Sequence, residues 1–118
     1  MIRFEGYAAL FDRVDRAGDV FRRGAFGEPR EVPLLAQHRG VAVGRVQVAE
    51  DERGLRVSGE VTGGSDGVAE GQGLSVGYRP VTVRHGARRE LLAVDLIEVS
   101  LVAQPMQPLA RVTGVSGD

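Results

Sequence analysis

The stretch "VGRVQVAEDERGLRVSGEV" (residues 43–61) limits the fold more than any other part of the chain. Val46 and Val48 alternate with Arg45 and Gln47. After the turn-forming "EDERG", Leu55, Val57 and Val61 alternate with Arg56, Ser58 and Glu60. A period of two places every second side chain on one face, which is the signature of a half-buried hairpin and is incompatible with a helix. The same period recurs in "IRFEGYAALF" (2–11) and in "LSVGYRPVTVR" (74–84), while "VPLLAQH" (32–38) is a compact apolar strand ending on His38. "ELLAVDLIEVSLVA" (90–103) is apolar on both faces, as in a strand covered from two sides, and "QPMQP" ends it because proline has no N–H to give a ladder. "DRVDRAGD" (12–19) is rich in turn residues, and "VFRRGAFGE" predicts a short strand followed by a helical turn. "TGGSDGVAEGQG" (62–73) reads as a mobile connection. Short strands at this spacing predict a mainly β, single-domain barrel or sandwich with few short helices. The expected domain is 1–112, followed by a flexible C-terminal tail, 113–118.

Composition removes whole classes of function. The 118 residues suffice for one core. The chain has 15 basic residues, all arginine, against 16 acidic ones, so no basic footprint for nucleic acid or an anionic membrane is expected. With no cysteine there is no disulfide, thiolate nucleophile or cysteine-based zinc site. No secretory signal is expected, and the most apolar run is broken by Asp95 and Glu98 and too short to span a bilayer. These features predict a cytoplasmic domain without a cofactor.

Candidates for chemistry are few. Of the two histidines, His38 closes an apolar strand at a rim, whereas His85 lies in the arginine-rich turn "RHGARR". Ser75, in "QGLSVGYRP", is either a small hydroxyl packed against a neighbouring strand or a nucleophile whose flanking glycines let a substrate approach and free amides for an oxyanion. Its surroundings match the G-x-S-x-G elbow only loosely. Glu98 is a carboxylate within "LIEVSLV" and needs a partner, an arginine or a histidine. Asp95 competes with it. Asp12, Asp15 and Asp19 cluster near a turn, but their spacing is not that of an EF-hand, so they read as turn caps and no metal is assigned.

Taken in order, "GYAALFDRVDRAGDVFRRGAF", "VPLLAQH", "GLRVSGEV", "GLSVGY" and "DLIEVSLVAQPMQPLA" resemble the prohead (capsid-maturation) serine proteases of tailed bacteriophages. The resemblance implies a β-barrel related to herpesvirus assemblins. It also implies a catalytic set of Ser75 as nucleophile, His38 as base and Glu98 holding the imidazole. Backbone amides near Ser75, with or without an arginine, would hold the oxyanion. The implied substrate is a major capsid protein or scaffold inside an assembling procapsid, and a homo-oligomer is compatible with it. In this family a longer, helix-bearing segment usually stands where this chain has "TGGSDGVAEGQG", and the chain stops soon after the barrel, at "RVTGVSGD". Two readings follow: a serine endopeptidase that cleaves scaffold or capsid-protein extensions, and a non-catalytic β-domain serving assembly of a phage-like or gene-transfer particle. An unrelated β-barrel binding module is the third, and would set His38 and Ser75 on opposite sides of the barrel.

Overall fold

The computed structural model describes residues 2–62 and 68–117. Eight strands account for most of them: β1 (Ile2–Leu10), β2 (Asp19–Phe21), β3 (Arg30–Ala36), β4 (Arg39–Glu50), β5 (Gly54–Val61), β6 (Gly73–His85), β7 (Arg89–Val102) and β8 (Val112–Gly117). The predicted hairpin is β4–β5, in the register Val46↔Gly59 and Val48↔Val57. Its inward valines and Leu55 join Phe4, Leu34, Leu74 and Val99 in one core. Fully burying a side chain of this size stabilises by about 1.5–3 kcal/mol. The radius of gyration of 13.5 Å is that of one compact domain.

β7 organises the sheet. β6 runs antiparallel along one edge of it from Gly73↔Val102 to His85↔Arg89. The other edge is shared, β2 pairing in parallel with Arg89–Leu91 and β3 in parallel with Val99–Leu101. From β3 the ladder continues through β4, β5 and β1 to β8. A strand with neighbours on both edges and covered faces can be apolar on both sides, which explains the unbroken burial of Glu98 to Val102.

Four expectations need correction. Among the described residues the sheet rolls but does not close into a barrel: there β6 forms a ladder only with β7 and β8 only with β1. The two ends meet at one isolated bridge, Gly73↔Arg111, flanked by the bond from Leu74 N to Ala110 O at 2.9 Å. Second, there is no helix among the described residues; after β2 the chain makes tight turns, with Ala25 N on Arg22 O at 3.0 Å and Gly27 N on Gly24 O at 3.2 Å. Gly24 and Gly27 take φ of +92° and +73°, which no continuing helix can adopt. Third, residues 113–117 are not a tail: they form β8 with Val112, in the register Phe4↔Val115 and Arg3↔Ser116. Fourth, β3 stops at Ala36, so His38 sits in a turn and not on the strand. Five of the twelve residues of the expected mobile connection, 63–67, lie outside the described residues, while Val68 beyond them is buried in the core.

Candidate active site

The site occupies the seam where the sheet fails to close. β1 is joined to β8 as far as Gly6, and its next amide, Tyr7 N, donates to Arg111 O at 3.2 Å. Further along, the Gln107 side chain takes the place of a strand: its Oε1 accepts from Leu10 N at 2.6 Å and its Nε2 donates to Leu10 O at 3.0 Å. The gap between this end of β1 and the start of β6 holds a cavity of about 90 Å³. Ala8 and Ala9 line it from β1, Ser75, Val76 and Tyr78 from β6, and His38 from the β3–β4 turn. The rest of the wall includes Asp15, Phe21 and Met106. His38 and Ser75 thus share one cavity.

His38 is held by backbone strain and two hydrogen bonds. The tight turn from β3 to β4 gives Gln37 and His38 positive φ, 53° and 61°. Two-residue hairpin turns require such values, but for non-glycine residues they cost roughly 1–3 kcal/mol each. Leu101 O accepts from Gln37 N at 2.9 Å, and Ser100 Oγ accepts from His38 N at 3.1 Å. The ring then turns its Nδ1 to Glu98 Oε2 at 2.9 Å. The other carboxylate oxygen, Oε1, accepts from Ser100 Oγ at 2.8 Å. Glu98 is 7% exposed, and these bonds stabilise the charge that burial would otherwise penalise. His38 Nε2 remains for a second partner.

Register decides between two serines. Ser75 and Ser100 are paired across β6 and β7. Ser100 is fully buried and its hydroxyl proton is committed to Glu98. Ser75 lines the cavity. Sequence pattern alone did not single out Ser100; its two-residue spacing from Glu98, which puts both side chains on one face, was the available signal.

The glycines of "GLSVGY" act differently from expectation. A Cβ at Gly77 would lie 2.6 Å from the Glu98 carboxyl carbon and 3.0 Å from its Cγ. A Cβ at Gly73 would lie 2.8 Å from Cδ of Pro105. Gly77 therefore makes room for the carboxylate that holds His38, and Gly73 for the proline loop after β7. Just past this point the ladder slips between Gly77↔Glu98 and Tyr78↔Leu96, leaving Ile97 without a partner.

The other candidates fall elsewhere. His85 is exposed at the far end of β6, about 30 Å of strand from Ser75. Asp95 is exposed and faces Arg30 at 3.8 Å. The three aspartates separate into different roles. Asp12 pairs with Arg22 at 2.7 Å, and Asp19 takes both nitrogens of the Arg89 fork at 2.8 Å. Asp15 caps the turn, its Oδ1 accepting from Ala17 N and Asp19 N, each at 2.9 Å. Among the described residues no arginine lines the cavity. Burial, followed by the charges of Asp19 and Asp15, pushes the Tyr78 phenol above its ordinary 10.0, so it stays protonated.

Residues 1–117 match the family described as caudovirus prohead serine protease. The prohead protease of Enterobacteria phage HK97 is 36% identical over 92 residues, an alignment covering 64% of this chain and 41% of that protein. The aligned region thus spans less than half of that relative. With the family match running through nearly every described residue, the chain belongs to the caudovirus prohead serine protease family.

Proposed function

We propose that the chain is a serine endopeptidase that cleaves scaffold or capsid-protein extensions during maturation of a phage-like procapsid, with Ser75 as nucleophile, His38 as base and Glu98 as the group that orients the base. The observation that carries this reading is the 2.9 Å bond from His38 Nδ1 to Glu98, made by a histidine whose ring borders the same cavity as Ser75. With Nδ1 donating to the carboxylate, the neutral ring carries its lone pair on Nε2, the tautomer a base requires.

Ser75 Oγ attacks the scissile carbonyl while His38 Nε2 takes the hydroxyl proton. Glu98 stabilises the imidazolium so formed, and Ser100 keeps the carboxylate in place. The imidazolium then returns the proton to the leaving amine, and a water repeats the sequence to release the acyl group. For the oxyanion, the alternation of β6 supplies an amide. Leu74 N–H points away from β7, to Ala110 O, so the Val76 N–H two residues on faces the same seam beside Ser75. A donor of this kind is worth about 3 kcal/mol in the transition state.

A fluorophosphonate probe tests the assignment. Labelling of the wild type that disappears in Ser75→Ala and falls by about two to four orders of magnitude in His38→Ala is the expected result. Labelling that persists in Ser75→Ala would overturn it. Co-expression with a candidate phage major capsid protein tests the biological setting: the capsid-protein mass should fall with the wild type and stay unchanged with Ser75→Ala.

A further inference from the structure

Two buried aspartates stand close to the cavity with opposite electrostatics. Asp19 is 5% exposed and is neutralised by the two-pronged Arg89 contact. Asp15 is 7% exposed and lines the cavity itself, yet no cation pairs with it among the described residues. Backbone amides occupy its Oδ1, which caps a turn but cancels no full charge. Burial raises the Asp15 carboxyl above its ordinary value, against the lowering effect of the Asp19 and Ala17 amides. Arg89 acts on Asp15 only from a distance, its guanidinium fork being spent on Asp19, so Asp15 keeps no contact ion pair and is stabilised by a cation that enters the cavity.

The rest of the wall suits the stem of such a cation. Ala8, Ala9 and Ala17 leave space, and Phe21 and Tyr78, set edge to face at 5.2 Å, supply aromatic surface for an alkyl chain or a charged head. The cavity of about 90 Å³ holds on the order of six waters, room enough for a lysine side chain. It is bounded by Ser75 and His38, so a side chain lodged there belongs to the residue at the scissile carbonyl.

We propose that this cavity takes a basic side chain from the substrate and that Asp15 is the residue that selects it. The inference rests on the protease reading above. A charge-assisted contact of this type discriminates by about ten- to a hundredfold.

The test compares peptidyl diphenyl phosphonates that carry lysine or norleucine at the reactive centre, which differ by the amine. The wild type should be labelled at least about tenfold faster by the lysine compound. Asp15→Asn keeps an acceptor for the two capping amides but removes the charge, and should bring the lysine-to-norleucine ratio close to one. Ala17→Lys, which brings a cation to the same wall, should do the same and serves should the first variant not fold. Because the readout is a ratio, a general loss of reactivity cancels. Equal rates for the two compounds in the wild type, or a ratio unchanged in the folded variants, would overturn the proposal. A wild type that reacts with neither compound nor with a simple fluorophosphonate would overturn the protease reading, and this inference with it.

Discussion

Gly77→Ala should disable the site without touching any residue assigned to the chemistry. The added methyl would stand 2.6 Å from the Glu98 carboxyl carbon and 3.0 Å from Cγ, against an ordinary carbon–carbon separation of about 3.5–4.0 Å. The carboxylate must therefore retreat by about 1 Å, which stretches the 2.9 Å bond to His38 beyond hydrogen-bonding range. Overpacking of this sort also destabilises, by about 1–3 kcal/mol. Loss of the orienting carboxylate in a serine protease costs up to about four orders of magnitude in turnover. The assay is the rate of fluorophosphonate labelling at Ser75, with thermal unfolding measured alongside. Gly59→Ala is the steric control: its Cβ would lie 2.5 Å from Val46 Cγ1, in the β4–β5 hairpin, so it should lower the melting temperature while the folded protein still labels. Glu98→Gln and Gly77→Ala act through one bond, so the double variant should be no slower than the worse single one. Wild-type labelling by Gly77→Ala, or losses that multiply in the double variant, would refute the reasoning.

Ser100→Ala removes the donor to Glu98 and the acceptor for His38 N, so labelling should slow by at least about tenfold; the unsatisfied amide should also lower stability by about 1–3 kcal/mol in urea titrations. Gln37→Gly relieves one of the two strained turn residues on an exposed side chain, and should stabilise by about 0.5–1 kcal/mol, read as a small rise in melting temperature. Glu90 is held down to about 2 from its ordinary 4.5 by the guanidinium groups of Arg84 and Arg22. Because its folded value lies below its unfolded one, its contribution is complete above 4.5 and is lost as the pH falls to about 2. The stability difference between wild type and Glu90→Gln should therefore be flat above about pH 5 and shrink through that window in urea titrations.

What the sequence disclosed follows from how local each signal is. Alternation is local, so the β4–β5 hairpin and the long double-faced β7 were legible in residues 43–61 and 90–103. A buried charge is also local, so Glu98 stood out and its need for a partner narrowed the choice. The pairing with His38 is 60 residues long-range, and only the parallel docking of β3 on Val99–Leu101 brings the two together. Ser100 shares a face with Glu98 in the sequence pattern, but its role is not legible there, because serine in a strand is unremarkable until its register opposite Ser75 is known. Residues 113–118 read as a tail because their alternation is short and glycine-broken, whereas for 113–117 the β1 edge supplies the partner that pattern cannot reveal.

The missing closure of the sheet is the feature on which the site depends. A continuous ladder between β1 and β6 would satisfy the outward amide of Val76 with a carbonyl of β1 and fill the seam with backbone. The chain instead ends the contact one residue past the Gly73↔Arg111 bridge, at the bond from Leu74 N to Ala110 O, and satisfies Leu10 with a side chain, Gln107, that keeps the β1 edge paired without bringing in a strand. Ala8 and Ala9 then face Ser75 and Val76 across open space. Gln107→Ala would leave both polar groups of Leu10 without these partners. If the seam is held open by that bracket, the substitution should lower stability by about 1–3 kcal/mol per unsatisfied group and slow labelling of Ser75 together. Loss of stability with labelling intact in the folded fraction would mean that Gln107 serves the core alone.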